Sequence, residues 1–366
     1  AGLRVSTQDA FKKDSTPDVR ALYQKHAMGN SLLRNDGATF KDLTSSSGTG
    51  IGRWAWSSDA FDFDHDGFPD IYIANGMVSG PSRSDLNSFF WRQVVANSPD
   101  QAASSHEYEQ GWTAINELIR SDATWSGYER NILYANNGDG TFADVSAAAG
   151  LDFIEDSRSF ALADTDHDGR LEVVLKNRNS PQLRVLKNVA KAIPPSIILR
   201  LQGTKSNPDA VGAAVTIESG SRTQTQTVRV GSGFLSQHSK EIFFGLGEHQ
   251  GRVRAAIHWP SGLVQQLTDL PVNHRIWVQE GKQPLRLEPF RNPAPLPAGA
   301  SGRTVADPVP STVETWLLAP IPAPEFSLPD LGGKQWTLSA LRGKPTLLHF
   351  WTSKSDDCVK TLQRLE

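Results

Sequence analysis

Several features that often define a protein's class are missing from this chain. Cys358 is its only cysteine, so no disulfide can form within the chain. No apolar run approaches the ~20 residues that a membrane-spanning helix needs, and we expect no membrane span. A net charge of −3 gives no reason to expect nucleic acid as a partner. The hydrophobic content of 38% over 366 residues instead leaves room for two or three domains with packed cores.

What the chain does contain is one acidic loop in two copies, residues 62–70 (loop 1) and residues 164–172 (loop 2). In both copies, oxygen-bearing side chains alternate along the loop, a glycine makes the turn, and a further carboxylate ends it. Calcium takes about six to eight oxygen ligands, and a tight loop of this kind can supply most of them. Without a cation, carboxylates packed this closely would repel each other strongly.

The spacing predicts two calcium sites, one in each loop. Side chains at loop positions 1, 3, 5 and 9 and the backbone carbonyl at position 7 are the expected ligands. These ligands are Asp62, Asp64, Asp66, Phe68 and Asp70 in loop 1, and Asp164, Asp166, Asp168, Arg170 and Glu172 in loop 2. The histidines at position 4, His65 and His167, are expected to face solvent.

The loops lie inside a longer repeat, because Asp62 and Asp164 are 102 residues apart and other residues share that offset. The same offset relates Phe40 to Phe142, Asp42 to Asp144, Gly48 to Gly150, Ser57 to Ser159 and Asn75 to Asn177. The runs after both loops are β-branched or aromatic, which indicates strands. A third unit begins at residues 183–188 and goes no further. Short repeated β units are typical of β-propeller blades.

Residues 136–142 read Asn-Asn-Gly-Asp-Gly-Thr-Phe, and together with the acidic loops they carry a family resemblance. Over about residues 30–190 the chain resembles the FG-GAP/VCBS repeats of integrin-like propellers. That resemblance implies blades with a calcium ion bound in each acidic loop. It also implies an extracytoplasmic location, secreted or periplasmic, because sites with affinities of roughly 0.1–1 mM fill only where calcium is plentiful.

The number of repeats is too small for a closed propeller, which typically has about four to eight blades. Residues 1–3 resemble residues 149–151, so we expect the chain to begin in mid-repeat and to be a processed form or a fragment. A larger propeller or self-association would then complete the blades.

Residues 76–130 interrupt the repeat with two amphipathic helix patterns. Ser84 is the predicted cap of the first, and Ser104 with Glu107 forms a predicted capping box for the second. We expect these helices to pack on the propeller rim; a lid or docking surface is the alternative. The nearby sequence His106-Glu107-Tyr108-Glu109-Gln110 is not a zinc motif, because Gln110 replaces the second histidine.

The segment from 191 to 288 predicts a small antiparallel β domain. It resembles the ASPIC/UnbV family through four motifs, at residues 207–213, 231–237, 244–247 and 259–262. That domain follows FG-GAP/VCBS repeats in bacterial proteins and in the cartilage acidic protein family. Ser236, His238 and Lys240 are not expected to be catalytic, since a triad is defined by geometry. The glycines at 231 and 233 predict a bulge or a tight turn.

A proline-rich linker is predicted over residues 289–323. Residues 324–366 resemble the opening of a thioredoxin-like (TlpA/redoxin) domain, with a strand predicted over residues 346–351. In that family a Cys-x-x-Cys motif follows the strand, whereas here residues 355–358 read Ser-Asp-Asp-Cys. Dithiol exchange through this motif is therefore not expected.

These observations predict a mostly β fold: propeller blades over 1–190 with a helical insertion, a small β domain, a linker and a truncated α/β thioredoxin-like tail. The predicted function is an extracytoplasmic calcium-binding protein that acts in binding, adhesion or assembly. A protein, a glycan or a second copy would be its partner. The alternatives are a thiol-redox protein that uses Cys358, with the propeller as a targeting module, and an unassigned enzyme of secondary metabolism.

Overall fold

The computed structural model describes residues 2–81, 85–101, 103, 105–293, 325–330, 332–343 and 346–348. The chain divides into two compact units, residues 1–313 and residues 314–366. Within the described residues the protein is mostly β, with four sheets of three or four strands in a β-propeller-like arrangement and a few helices. No described helix combines the length and the apolar character that crossing a membrane requires.

The described residues form five α-helices: Gly2–Ser6 (α1), Pro17–Ala27 (α2), Thr44–Ser47 (α3), Asn87–Phe89 (α4) and His106–Arg120 (α5). A π-helix, Phe90–Val95, continues α4. The helical insertion is therefore confirmed. The predicted caps Ser84 and Ser104 lie outside the described residues. Ser105 caps α5, because its side chain accepts a hydrogen bond from Tyr108 N at 3.2 Å.

Nine strands build the blade region within the described residues: Leu33–Asn35 (β1), Phe40–Asp42 (β2), Ala55–Phe61 (β3), Asp70–Asn75 (β4), Ile132–Asn136 (β5), Phe142–Asp144 (β6), Ser157–Ala163 (β7), Glu172–Asn177 (β8) and Leu183–Leu186 (β9). The hairpin β1–β2 stands first. The sheets β3–β4–β5–β6 and β7–β8–β9 follow, and all of their pairs are antiparallel. The strands predicted after both acidic loops are β4 and β8.

The two blade sheets share one apolar core, which explains why they stay together. Tyr72 of β4 and Phe160 of β7 are fully buried and meet edge to face, with ring centroids 5.0 Å apart. Leu133 and Leu175 are buried in the same cluster. Burying a side chain of this size stabilises the fold by about 1.5–3 kcal/mol.

The helical insertion packs through aromatic side chains against Trp54, the residue before β3. Trp125 lies 4.8 Å from Trp54 and 5.1 Å from Phe90, measured between ring centroids. Trp112 of α5 joins the same cluster, 5.8 Å from Phe90. These contacts confirm packing of the insertion on the blade region, and they account for its aromatic residues.

Eight strands form the second β region: Ser196–Gln202 (β10), Ala214–Ser219 (β11), Arg222–Thr227 (β12), Ile242–Gly245 (β13), Val253–His258 (β14), Val264–Leu270 (β15), His274–Gln279 (β16) and Arg286–Pro289 (β17). They make the sheets β13–β10–β16–β17 and β12–β11–β14–β15, which share one core. The prediction of a purely antiparallel domain is wrong at one pair. Strands β10 and β16 run parallel, because a long connection through the other sheet separates them in the chain.

The second unit contains one described hairpin, Ser327–Pro329 (β18) with Gln335–Thr337 (β19), followed by a 3-10 turn at Ser339–Leu341. Residues 346–348, part of the predicted strand, are not in a strand. Residues 294–324 and 349–366 lie outside the described residues, and with them Cys358 and most of the linker. The thioredoxin-like domain therefore stays a prediction.

Candidate metal centres

Loop 1 connects the antiparallel strands β3 and β4, whose pairing brings the two ends of the loop together. Phe61 at the end of β3 lies opposite Asp70 at the start of β4. Carboxylate oxygens of Asp62, Asp64 and Asp66 come within 4.8 Å of one another. Asp62 is only 6% exposed, and its Oδ1 has no hydrogen-bond partner among the described residues. A buried, unpartnered carboxylate oxygen is costly unless a cation or donor approaches it.

Backbone amides hold the loop 1 carboxylates in place. Gly67 N donates to Asp62 Oδ2 at 2.9 Å, and Phe68 N donates to Asp66 Oδ1 at 2.7 Å. Gly67 has a φ of 85°, a left-handed conformation that favours glycine. The turn therefore gathers the negative side chains around one point.

Asp70 closes loop 1 through both of its oxygens. Its Oδ1 accepts from Asn136 N at 2.8 Å and its Oδ2 accepts from Phe63 N at 2.9 Å. The first bond ties the loop to β5, the neighbouring strand of the blade. Burial raises the pKa of Asp62 to about 8 and the pKa of Asp70 to about 7. A divalent cation would stabilise the charged forms of both groups.

Loop 2 repeats the arrangement between β7 and β8, where Ala163 lies opposite Glu172. Oxygens of Asp164, Asp166 and Glu172 lie within 4.8 Å of one another. Glu172 Oε2 accepts from the backbone and side chain of Thr165 at 2.7 and 2.8 Å, while its buried Oε1 has no partner among the described residues.

The structure brings together three predicted side chains in each loop, but not the same three. Asp70 lies outside the tight cluster of loop 1, and Asp168 lies outside that of loop 2. The backbone carbonyls of Phe68 and Arg170 remain predicted ligands. Amide hydrogen bonds from both residues to the carboxylates two positions earlier fix the turns from which those carbonyls project.

The prediction that His65 faces solvent is wrong. His65 is 2% exposed, and its Nδ1 donates to Pro194 O at 3.0 Å. Its ring lies 4.8 Å from the Phe243 ring of β13. Burial lowers the pKa of His65 to about 4, so the imidazole is neutral at pH 7. The cause is the β domain, which covers the side of loop 1 that was expected to be open. His167 is partly buried for the same reason.

The glycine-rich motif at residues 244–247 forms the contact with loop 1. Gly247 N donates to His65 O at 2.8 Å. A Cβ at Gly245 would lie 1.9 Å from Asp62 Oδ2, so only glycine fits there. Arg222 of β12 donates to Asp66 O at 2.5 Å, and its guanidinium lies 4.0 Å from the centre of the Phe68 ring. The acidic cluster of loop 1 is thus enclosed between a blade and the β domain.

Two basic side chains enter loop 2. Arg275 of β16, 3% exposed, donates to Asp164 Oδ2 at 3.1 Å and also pairs with Glu241 at 3.1 Å. Lys187, which directly follows β9, pairs with Asp166 and lies 3.4 Å from Asp168 Oδ2. Reasoning from the sequence missed both residues. For Lys187 a signal existed, because it lies in the third, incomplete repeat unit.

Ser236, His238 and Lys240 each make contacts other than those of a catalytic triad. Ser236 donates to Ser232 O, and Lys240 pairs with Asp209. His238 accepts from Leu162 N through Nδ1 at 3.2 Å, which leaves Nε2 to face Asp59 Oδ2 at 3.0 Å. The histidine therefore ties the β domain to strands β3 and β7.

The glycines of the same segment serve a tight turn, as predicted. Gly233 has a φ of 57°, and a Cβ there would lie 1.8 Å from Ser57 Oγ. The turn places the Phe234 ring 4.9 Å from the Trp56 ring of β3.

Both acidic clusters fit a metal ion, since each combines carboxylates with a buried oxygen that lacks a partner among the described residues. Oxygen-only donor sets suit hard cations such as Ca²⁺ and Mg²⁺. At His106, by contrast, Nε2 lies 2.9 Å from Gln110 Nε2, which is consistent with the rejection of a zinc motif.

Comparison with known proteins agrees with this architecture. Residues 11–73 and 120–175 match the FG-GAP-like repeat family, and the gap between them falls at the helical insertion. Residues 203–285 match the ASPIC and UnbV family. The protein thus combines FG-GAP-like repeats with an ASPIC and UnbV domain.

Among individual proteins, the chain is similar to cartilage acidic protein 1. Over 52 residues it is 46% identical to the human protein and 42% identical to the Xenopus tropicalis protein. This stretch is 14% of the present chain and only 8% of the length of each relative. The similarity therefore concerns a short segment.

Proposed function

We propose that each acidic loop binds one calcium ion, and that the two ions hold the blades and the β domain as one rigid unit. The observation that carries this proposal is the enclosure of both loops. Each contains a buried carboxylate oxygen without a partner among the described residues, and each is covered by residues of the β domain. Calcium suits such loops better than Mg²⁺, which demands near-octahedral geometry and keeps several waters.

The ligand set that we propose is the one expected from the sequence. Asp62, Asp64 and Asp66 would bind the ion of loop 1 directly, and Asp164, Asp166 and Glu172 that of loop 2. Asp70 and Asp168, together with the carbonyls of Phe68 and Arg170, would complete the two coordination shells.

The rigid unit would act outside the cytoplasm in binding, adhesion or assembly. Support comes from the low calcium affinity usual for extracellular modules, which suits a calcium-rich compartment. The partner would be a protein, a glycan or a second copy of the chain. Large apolar side chains on β1, β2 and β9 are exposed, among them Phe40 at 68% and Val185 at 62%, which is consistent with further protein contacts.

Calcium titration calorimetry on the purified chain tests the metal part of the proposal. We expect two bound ions per chain, and loss of one in Asp64→Asn. Asp9→Asn, an exposed carboxylate far in sequence from both loops, is the control. A chain that takes up no calcium at millimolar concentration would contradict the proposal.

The partner is tested separately by light scattering and by glycan-array binding, each with calcium and with EDTA. Calcium-dependent association or glycan binding supports the proposed role. If the chain is a monomer and binds no glycan, a protein partner is the remaining possibility, and cross-linking on the producing cells should then reveal it. If cross-linking reveals no protein partner, the proposed role is overturned.

A further inference from the structure

The two acidic loops differ in charge although their sequences are alike. Loop 1 carries four carboxylates, and within the described part of the chain no basic side chain pairs with any of them. Arg222, a basic residue that contacts loop 1, donates to the backbone oxygen of Asp66 and not to a carboxylate. Loop 1 therefore depends on an added cation to balance its charge.

Loop 2 also carries four carboxylates, but the chain supplies two positive charges to them. Arg275 Nη2 lies 3.1 Å from Asp164 Oδ2, so this oxygen already accepts from a cation as well as from Gly169 N at 3.0 Å. The ammonium group of Lys187 pairs with Asp166 and lies 3.4 Å from Asp168. Lys187 is mostly buried, with a side-chain exposure of 16%.

The strand registers identify the residue of the first blade that corresponds to Lys187. Ile71 pairs with Tyr134 in the first blade, and Val173 pairs with Leu186 in the second. Ile71 and Val173 occupy equivalent positions, because each is the first residue after its acidic loop. The residue after Tyr134 is Ala135, and the residue after Leu186 is Lys187. Ala135 of the first blade therefore corresponds to Lys187 of the second. The two blades thus offer a natural comparison with and without the ammonium group.

We propose that Lys187 is a built-in counter-ion of loop 2, so that loop 2 binds calcium more weakly than loop 1 and releases Lys187 when the ion enters. This inference rests on the proposed function, since it concerns the relative affinity of the two calcium sites. A singly charged group a few ångströms from a divalent ion opposes its binding, and at a partly buried site this opposition is on the order of tenfold or more in affinity. The ammonium group belongs to the same chain as loop 2, so it competes with calcium for the carboxylates at every calcium concentration.

The asymmetry gives each loop a different role. Loop 1 would be filled first and would act as the constitutive structural site. Loop 2 would stay folded without an ion, because Lys187 and Arg275 neutralise part of its charge, and it would respond to calcium only at higher concentrations. The chain would then stiffen in two steps as calcium rises.

Calorimetric titration of the full chain with calcium tests this in two backgrounds that leave one loop each. Asp64→Asn leaves loop 2, and Asp166→Asn leaves loop 1. We expect loop 2 to bind at least tenfold more weakly than loop 1. Adding Lys187→Met to the Asp64→Asn background should tighten loop 2 about tenfold. Lys176→Met, the same change on the far end of β8, should alter the affinity less than twofold and is the control.

The reciprocal change covers the case in which Lys187→Met does not fold. Ala135→Lys in the Asp166→Asn background should weaken loop 1 by roughly the same factor. Melting without calcium gives a second readout, since Lys187→Met should lower the melting temperature of the ion-free chain and enlarge its shift with calcium. Equal affinities of the two loops, or no response to either exchange, would overturn the inference while leaving the proposed function intact. If neither loop bound calcium, the proposed function itself would fail.

Discussion

At the scale of single residues, the contact between the β domain and loop 1 depends on a missing side chain. A methyl group at Gly245 would lie 1.9 Å from Asp62 Oδ2 and 2.6 Å from the Cα of His65. Neither neighbour can retreat easily, because Asp62 is held by Gly67 N and His65 is part of the loop backbone. The glycine-rich motif of the β domain is therefore shaped to receive the acidic loop.

We predict that Gly245→Ala destabilises the chain by about 1–3 kcal/mol, the usual cost of overpacking a tight contact. It should also weaken calcium binding at loop 1, since the added methyl group displaces Asp62. Urea denaturation and calcium titration measure the two effects. Gly251→Ala is the control in the same domain, because its new methyl group would meet only the movable His249 ring at 3.2 Å. Equal stability of the two variants would show that the contact is not tight.

Arg275 offers a second prediction at this scale. It is 3% exposed and pairs with Asp164 and Glu241, so Arg275→Met leaves two carboxylates without their common partner. We expect a loss of about 3–5 kcal/mol without calcium, and a smaller loss at saturating calcium, since an ion in loop 2 compensates Asp164. Arg252→Met is the matched control, because Arg252 is 59% exposed and its pair with Asp269 contributes about 0–1 kcal/mol. Urea denaturation of both variants with and without calcium decides the matter.

At the scale of secondary-structure elements, the strand that follows each acidic loop was predictable. The residues of β4 and β8 that follow the loops are mainly β-branched or aromatic. The constant offset of 102 residues between the two repeat units identified the positions of both loops. The second helix of the insertion was also predictable, because its apolar residues recur at helical spacing. Its cap shifted by one residue, to Ser105, since neighbouring serines offer the same chemistry.

Other features could not be read from local patterns. The parallel pairing of β10 with β16 joins segments about seventy residues apart, and spacing within a strand says nothing about such partners. The burial of His65 has the same origin, because it is imposed by a domain more than a hundred residues further along the chain. The acidic clusters could be predicted because their side chains alternate within nine residues of the chain, whereas Arg275 reaches loop 2 only through the fold.

Glu129 gives a prediction at the element scale, where the insertion returns to the blade. Its carboxylate accepts from Trp54 N, the residue before β3, and burial raises its pKa to about 7. A raised carboxyl pKa means that the folded state favours the protonated form. Its contribution to stability is thus fully present below pH ~4.5 and is lost as the pH rises through about 7.

Glu129→Gln should therefore stabilise the chain relative to the wild type at pH 8 by about 1–2 kcal/mol, with little difference at pH 4.5. Glutamine keeps an oxygen that can accept from Trp54 N and removes the charge. Glu117→Gln, on an exposed position of α5, should show no such trend. Denaturation at both pH values measures the difference in stability between Glu129→Gln and wild type. The same difference at pH 4.5 and pH 8 would refute the raised pKa of Glu129.

At the scale of the whole molecule, the acidic loops lie where the two blades and the β domain meet. Loop 1 contacts β12 and the residues after β13, while loop 2 contacts β16. An ion bound in either loop would thus stabilise contacts between domains as well as the turn itself. Loss of calcium should accordingly affect all four sheets that contain or contact the loops, and not only the loops.

We predict that calcium raises the stability of the folded unit by about 1.4 kcal/mol for one site at ~1 mM free ion and a Kd of ~0.1 mM. The melting temperature should rise by roughly 2–4 °C, and hydrogen exchange should slow in β4 and β13 together. EDTA should reverse both effects, and Asp64→Asn should remove part of them. Protection that changes in the loops alone, with β13 unaffected, would show that the ions do not couple the domains. The joint response of β4 and β13 is expected because Asp62, at the start of loop 1, lies against Gly245 at the end of β13.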